Sequence, residues 1–439
     1  MANGARADTL AEGAGAGSPD CGGNRVEDQF KEWWLGPKAY KIYLVGSLTG
    51  RETERIFRGF QAQHELLTPK IGDVPVEISV VDDLGTSTGA NGVSRIVSHT
   101  DDALLVVGHV ISTDTIAALP NYIGSNPPVP VITTRETSAD LQCPREAAYC
   151  PVLRMSPSDV DQARDLVRFA VEKKPAGKFA VVAGDINSGY TRPLADLLAK
   201  QVTEKRLAMD LFRSRSEIPP RQFVNGRYDC VLVAGEAADA KSLVARIKEE
   251  YKNSAENAIE PIVFLSDASF DQTLLMGGGG QLMDGVTLTY QLGRYDEDQP
   301  YHAYGLDAFD LASALISMAN GRVLNGAVPW SYRLRRSINM HRVADARSIL
   351  LQAIYESFNR HLEFLSGSGE LYKFDSDGHR LNGRFHMWQV KGSKLVDVDG
   401  ERDLPAGMQA AESQRQPPHE HLLAAPFRGP SFPRFIAGE

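Results

Sequence analysis

ALLVVGHVISTDT, at residues 103–115, starts as a continuous apolar run and ends in a turn that is rich in hydroxyl side chains. The apolar part is typical of a strand that is buried on both faces of a parallel sheet. A second apolar run, PVPVI at 128–132, continues into TTRET at 133–137. Two neighbouring parallel strands would place these hydroxyls at their carboxyl ends, where open α/β sheets bind small ligands. Hydroxyls and free backbone N–H groups at that edge suit a carboxylate, so the pattern predicts binding rather than catalysis.

Strand and helix patterns alternate on both sides of this segment. Predicted strands lie at 41–45, 76–81, 178–182, 229–233 and 261–265, and helical spacing occurs at 51–67, 90–99, 114–123, 158–173, 191–202 and 237–250. Pro130 is awkward inside a central strand, so the strand after it is expected to start at Val131. Ser156 or Ser158 is the expected N-cap of the helix at 158–173. The alternation predicts an α/β protein with two doubly wound parallel-sheet lobes.

The last third of the chain predicts two long helices and a β-hairpin. The helices are expected at 304–319 and 344–365. Alternating residues at 371–378 and 383–390 flank an Asp-Gly turn, which is a hairpin signal. Residues 1–37 and the Pro-, Gln- and Arg-rich residues 400–439 are expected to be disordered.

Composition narrows the class of protein. The chain has 439 residues, 42% of them hydrophobic and 23% charged, as in a soluble globular protein of two lobes. Its net charge of −9 argues against a nucleic-acid partner. No apolar run approaches the ~18 residues of a membrane span, and the N-terminus lacks the apolar core of a signal peptide.

The four cysteines leave one question open. Cys143 and Cys150 flank a short loop, and they form either a disulfide, which suits an oxidising compartment, or two unpaired thiols. Cys230 lies in an apolar strand, where a buried and inert thiol is expected. No second Cys/His pair has the spacing of a zinc site, so no metal is expected.

Several short motifs, in a fixed order, resemble those of the type I periplasmic binding proteins, and most of all the branch that binds leucine, isoleucine and valine. The matching motifs are VGSLTG (45–50), VDD (81–83), VGHV (107–110), RMSPSD (154–159), GY (189–190), DGV (284–286), YGLDA (304–308) and FDSDG (374–378). The resemblance runs from about Lys41 to Val398. It implies two α/β lobes joined by three hinge strands, near 153–158, 286–291 and 368–375. Lobe 1 would comprise 38–154 and 291–368, and lobe 2 would comprise 155–290 and 369–399.

The resemblance also implies a ligand site in the cleft between the lobes. From lobe 1, Ser112 and Thr137 would bind the ligand α-carboxylate, with Thr113 beside them. Arg135 lies where the family mainly offers backbone atoms. The residues themselves leave a plainer alternative open, since hydroxyls at such turns commonly cap helices.

From lobe 2, Asp159 would hold the ligand ammonium, with Asp267 as a second carboxylate near it. Tyr190 would close over the ligand, and Glu236 lies where amino-acid binders often have an aromatic residue. The residues alone also allow Asp159 to serve only the helix dipole, and Asp267 and Tyr190 to be surface turn residues. Glu236 and Arg135 introduce charges that a branched aliphatic side chain would not favour, so a polar or charged ligand is expected.

The function implied by the resemblance is solute binding, as the substrate-binding component of an ABC-type transporter, with no cofactor. The expected partners are an amino-acid-like ligand and a membrane permease, in an extracytoplasmic location. One alternative is a ligand sensor of the same fold that acts on a signalling partner, which could be cytoplasmic. Another is an α/β enzyme, although no catalytic constellation is visible.

Overall fold

The computed structural model describes residues 38–72, 74–143, 150–254, 259–270, 274–275, 279–291, 301–324, 343–392, 394–399 and 435–436. The strands are β1 (Tyr40–Gly46), β2 (Lys70–Ile71), β3 (Val74–Asp82), β4 (Ala103–Gly108), β5 (Val131–Thr133), β6 (Val152–Arg154), β7 (Phe179–Ala183), β8 (Met209–Phe212), β9 (Cys230–Ala234), β10 (Ile262–Leu265), β11 (Thr287–Tyr290), β12 (Glu363–Leu365), β13 (Leu371–Lys373), β14 (His386–Lys391), β15 (Lys394–Asp397) and β16 (Phe435–Ile436). The helices are α1 (Arg51–Leu66), α2 (Ser87–His99), α3 (Ser112–Gly124), α4 (Asp159–Lys173), α5 (Ser188–Glu204), α6 (Gln222–Gly226), α7 (Ala237–Lys252), α8 (Gly279–Leu282), α9 (His302–Leu324) and α10 (Val343–Asn359). Single 3-10 turns lie at Arg215–Glu217 and Asp267–Ser269.

Lobe 1 is built on a six-stranded sheet with the order β2-β3-β1-β4-β5-β6. All its pairs are parallel except the short β2–β3 pair. Strand β4 is buried at every position, as expected for a strand covered by helices on both faces. Helices α9 and α10 come later in the chain but pack on this lobe, against α1 and β4 respectively. At the α1–α9 contact a β-carbon on Gly305 would clash with the Ile56 carbonyl, so the close approach requires glycine.

Lobe 2 is built on a seven-stranded sheet with the order β15-β14-β11-β10-β9-β7-β8. Its parallel part ends at β11, and β14 and β15 complete it in antiparallel fashion. Strands β13, β12 and β16 form a small third sheet. The chain therefore passes between the lobes three times: after β6, after β11, and between β12 and β14. The predicted fold, two doubly wound lobes joined by three hinge strands, is confirmed.

The hinge segments are hydrogen-bonded to one another. Arg154 N donates to the Gly378 carbonyl at 2.8 Å, which joins the first crossing to the third. Ser156 Oγ donates to Gln291 Oε1 at 2.5 Å, which joins the first crossing to the second. Gly378 has a φ of +76°, and a β-carbon there would clash with the Val152 carbonyl. Only glycine fits that contact without strain.

Two local predictions are confirmed near the hinge. Strand β5 begins at Val131, directly after Pro130. Helix α4 is capped by Ser158, whose hydroxyl accepts from Asp161 N while the Asp161 carboxylate accepts from Ser158 N. This capping box fixes the residue at which α4 begins, which is Asp159.

Two other predictions are wrong. The helix expected at 344–365 ends at Asn359, because His361 adopts a left-handed φ of +51° that closes the last turn. The Asp-Gly turn exists, with Gly378 N donating to the Asp375 carbonyl at 3.0 Å. Around this turn only Phe374 and Arg380 form an antiparallel bridge, so the expected hairpin of 371–378 with 383–390 does not form. Strand β13 pairs with β12, and β14 pairs with β11 and β15. The buried residues of β14, such as Met387, are needed to complete the lobe 2 core.

The segments predicted to be disordered, 1–37 and 400–439, lie outside the described residues, apart from the short strand β16. Among the helices of the described part, none is both long and apolar enough to cross a membrane.

Candidate functional site

Ser112 and Thr113 begin helix α3 just beyond the carboxyl end of β4. Ile111 occupies the N-cap position and has no side-chain acceptor, so the first N–H groups of the helix are left for another acceptor. Ser112 Oγ accepts from Ser138 N at 3.4 Å, and Thr113 is exposed. The alternative of Ser112 as a helix cap is therefore wrong, since its hydroxyl contacts the loop after β5.

Thr137 links the two lobes directly. It is buried in the loop after β5, outside any helix, so it is not a cap either. Its carbonyl accepts from Asp159 N at 2.7 Å. The hydroxyl-rich edge of lobe 1 thus lies against the first residue of α4.

Asp159 carries an unused acceptor. The residue is 2% exposed, and within the described residues its Oδ1 atom has no hydrogen-bond partner. Burial, reinforced by the negative charge of Asp267, raises the pKa of Asp159 to about 7. A buried carboxylate oxygen without a donor is costly, so this atom marks the open position of the site. At the first position of α4 the carboxylate also complements the helix dipole, and this role is compatible with the predicted contact to a ligand ammonium.

Asp267, in contrast, is already supplied with donors. Its Oδ1 accepts from Gln162 Nε2 at 2.7 Å and from the Tyr190 hydroxyl at 2.5 Å. Its Oδ2 accepts from Gln291 Nε2 at 2.8 Å. The resemblance assigned both carboxylates to the ammonium, but these contacts separate them. Asp267 is buried and accepts hydrogen bonds from the hinge residue Gln291 and from Tyr190. Asp159, by contrast, keeps one oxygen without a donor among the described residues.

Tyr190 lies in the first turn of α5 and is not a surface aromatic. It is half-buried, its hydroxyl is committed to Asp267, and burial raises its pKa. Beside it, a β-carbon on Gly189 would lie 3.8 Å from Thr113 Cγ2. The two lobes therefore approach closely at this point, and the cleft between α3 and α5 is narrow.

Charged side chains occupy the remaining part of the cleft. Arg135 forms an ion pair with Glu52 of α1. Glu236, at the N-cap of α7, accepts from Asn187 Nδ2 at 3.0 Å, and burial raises its pKa. Arg135 is electrostatically coupled to both Asp267 and Glu236. These contacts bring the candidate residues of both lobes around one interlobe region.

Arg154 was missed by the reasoning from sequence. It ends the buried strand β6, is 3% exposed, and donates through its guanidinium to the carbonyls of Glu136, Thr137 and Ser138. Its own N–H holds the third hinge crossing at Gly378. The sequence does contain a signal for this role, which is an arginine at the end of an apolar strand. A guanidinium buried at such a position must donate hydrogen bonds to nearby acceptors.

The loop that follows Thr137 is closed by a disulfide between Cys143 and Cys150. This resolves the open choice in favour of the pair. Cys230 is a buried free thiol, as expected, and burial raises its pKa to about 12, which makes it unreactive at neutral pH. In the part of the chain that the structure describes, no group of three or more His, Cys, Asp or Glu residues is placed to hold a metal ion.

We expect the double variant Cys143→Ser/Cys150→Ser to lower the free energy of unfolding by about 2–3 kcal/mol. The bridge closes a loop in the unfolded chain and so reduces the conformational entropy of the unfolded state, and the variant loses this effect. Urea unfolding measures the change, and mass spectrometry of unreduced peptides tests the bond itself. Two freely alkylated thiols in protein produced and purified under oxidising conditions would contradict the pairing.

Comparison with known proteins shows the fold. The chain matches a leucine-binding protein of Thermotoga maritima with a TM-score of 0.63 and 17% identity, over 82% of this chain and 97% of that one. It matches an isoleucine complex of a branched-chain amino acid transporter substrate-binding protein from Streptococcus pneumoniae with a TM-score of 0.58 and 15% identity, over 82% and 99% of the two chains. A benzoate complex of a solute-binding protein from R. palustris gives a TM-score of 0.57 and 16% identity, over 82% and 96%. The sequence matches no protein-family model and no curated protein. The chain thus has the type I periplasmic binding protein fold, shared with solute-binding proteins.

Proposed function

We propose that this protein binds a small solute, an amino acid or a related carboxylate or amide, in the cleft between its lobes. The observation that carries the proposal is the buried Asp159 Oδ1, which has no donor among the described residues and lies at the lobe boundary. A ligand ammonium would supply that donor as a charge-assisted hydrogen bond. The uncapped start of α3, together with the hydroxyls of Ser112, Thr113 and Thr137, would donate hydrogen bonds to the carboxylate of the same ligand.

Closure follows from this arrangement. A zwitterion that contacts Ser112 on lobe 1 and Asp159 on lobe 2 binds the closed state better than the open one, and it shifts the equilibrium towards closure. Tyr190 and Asp267 would lie beside the ligand. Their positions are fixed, because the Tyr190 hydroxyl donates to Asp267 and the hinge residue Gln291 donates to the same carboxylate. We place lobe 1 at 38–154 with 291–368 and lobe 2 at 155–290 with 369–399.

The wider role that we propose is that of the substrate-binding component of an ABC-type transporter, with a membrane permease as partner. Solved structures of the same fold include such components. The Cys143–Cys150 disulfide supports an extracytoplasmic location, since such bonds persist in oxidising compartments.

A thermal-shift screen against amino acids, amides and small carboxylates tests the proposal. A ligand at about 100 times its Kd should add about 2.7 kcal/mol of stability. Isothermal titration calorimetry of each stabilising compound then gives its affinity. If no compound of these classes stabilises the protein, the proposed function is wrong.

We expect Ser112→Ala and Thr137→Ala each to weaken ligand binding by about 1.5–3 kcal/mol, because each removes a hydrogen bond to a charged group. Calorimetry measures the loss. Ser98→Ala is the matched control: Ser98 is also buried and hydrogen-bonded, but it lies at the far end of α2, next to the amino edge of the sheet. Unchanged affinity in both Ser112→Ala and Thr137→Ala would rule out the carboxylate pocket.

A further inference from the structure

The Arg135–Glu52 ion pair forms part of the lobe 1 wall of the cleft. Arg135 lies two residues beyond β5, and Glu52 lies in the first turn of α1, so both belong to the carboxyl edge of the sheet. Glu52 keeps 38% of its side-chain surface exposed, whereas Arg135 keeps 18%. The arginine is therefore the inner member of the pair, and the glutamate is the member nearer to solvent.

Arg135 is held in place by contacts beyond Glu52. Its guanidinium lies over the ring of the buried Tyr301, 5.2 Å from the ring centroid, which is a cation–π contact. Its carbonyl accepts from Gln291 Nε2 at 3.1 Å, so the hinge fixes its backbone. Burial lowers the pKa of Arg135, but Tyr301 and then Asp267 outweigh this and shift it upward, so the guanidinium stays charged.

This wall affects which ligand side chains the cleft can accept. An apolar group placed against Arg135 and Glu52 would remove water from two charges without replacing its hydrogen bonds, which is costly. A hydroxyl, amide or carboxylate would replace those bonds, since a guanidinium has five N–H donors. Glu236, half-buried on lobe 2, adds a further polar group to the same region.

We propose that the Arg135–Glu52 pair determines ligand specificity, and that it selects a small zwitterion with a hydrogen-bonding side chain over one with a branched aliphatic side chain. This inference rests on the proposed function, because it concerns the same cleft. It sets this chain apart from the leucine and isoleucine binders that share its fold.

Calorimetry on the wild type with serine, asparagine, glutamine and glutamate, against valine, leucine and isoleucine, tests the preference. We expect the best polar ligand to bind at least about tenfold more tightly than the best aliphatic one, because sites built for hydrogen bonds discriminate strongly against analogues that lack them. Tighter binding of an aliphatic amino acid overturns this inference and leaves the proposed function standing. Binding of none of the seven overturns this inference, whereas the proposed function is rejected only if the wider screen also finds no ligand.

Variants then test the assignment to this pair. Arg135→Leu/Glu52→Leu should lose most of the polar preference and gain affinity for leucine. Arg58→Leu/Glu54→Leu is the control, since it removes an exposed ion pair on the same helix α1 and should keep the wild-type preference. If the double variant fails to fold, Arg135→Met alone removes the guanidinium donors and leaves the more exposed Glu52 in place, so it should shift the preference in the same direction. A preference that is unchanged in the folded variants overturns the assignment.

Discussion

Asp159→Asn is expected to weaken ligand binding by about 2–5 kcal/mol, because a ligand ammonium would lose its ionic partner in a site shielded from water. The same change should stabilise the ligand-free protein above neutral pH, since it removes a buried charge with an unused oxygen. Calorimetry measures the first effect and urea unfolding the second. If the variant binds ligand more weakly but is more stable than the wild type, Asp159 serves ligand binding rather than the stability of the fold.

The pKa of Asp159 sets the pH dependence of both effects. Its value in the folded protein is about 7, above the ordinary 3.8, so its contribution to stability is present below pH 4 and is lost as the pH rises through 7. The advantage of the Asn variant in stability should therefore grow between pH 4 and 8. Ligand binding needs the ionised carboxylate, so wild-type affinity should fall about tenfold for each unit below pH 7. Asp159→Asn should remove this dependence.

Asp307→Asn is the matched control. Asp307 is fully buried on α9, also has an oxygen without a partner among the described residues, and its pKa is likewise raised to about 7, mainly by burial. It should show a similar change of stability with pH but no loss of affinity.

Small-angle scattering adds a test of closure. Tight ligand binding without a change in the radius of gyration, or Asp159→Asn that binds like the wild type, would contradict the bridging role of Asp159.

The position of the candidate site could be predicted from the sequence because it depends on where the strands end. Buried parallel strands are recognisable as apolar runs, and the residues after them must meet at one edge of the sheet. Ser112 and Thr137 lie where this rule places them. The capping box at Ser158 is equally local, and it puts Asp159 on the first turn of α4. Short-range patterns were enough for these residues.

The roles within the site depend on contacts that no local pattern contains. Asp267 is satisfied by Gln162 and Gln291, which are 105 and 24 residues away in the chain. Only the fold shows that the donors of Asp267 are supplied internally, while Asp159 Oδ1 has none among the described residues. The pairing of β14 with β11 is also non-local, and the Asp-Gly turn indicated a plausible but wrong partner. Sequence reasoning therefore named candidate residues that the fold brings together, but it missed Arg154 and could not rank the roles of the others.

Arg154→Met is expected to lower the free energy of unfolding by about 3–5 kcal/mol and also to weaken ligand binding at temperatures where the variant is folded. The substitution keeps much of the side-chain length, but it removes the charged donor that ties together the carbonyls of Glu136, Thr137 and Ser138. The Thr137 and Ser138 carbonyls keep a backbone donor each, whereas the buried Glu136 carbonyl loses the side-chain donor that the arginine supplied. Since Thr137 lies in that loop, the loop should lose its fixed position beside Asp159. Urea unfolding and calorimetry measure the two effects.

Arg347→Met separates the loss of a buried arginine from the loss of the binding loop. Arg347 on α10 is as buried as Arg154 and donates to the carbonyls of Ser98, Thr100 and Ala103, at the amino edge of the lobe 1 sheet. It should lower stability by a similar amount while ligand affinity stays at the wild-type value. Arg154→Lys should recover part of the binding, because an ammonium can still reach one of the carbonyls. If Arg154→Met and Arg347→Met lose stability equally and neither loses affinity, Arg154 supports the fold alone and does not position the site.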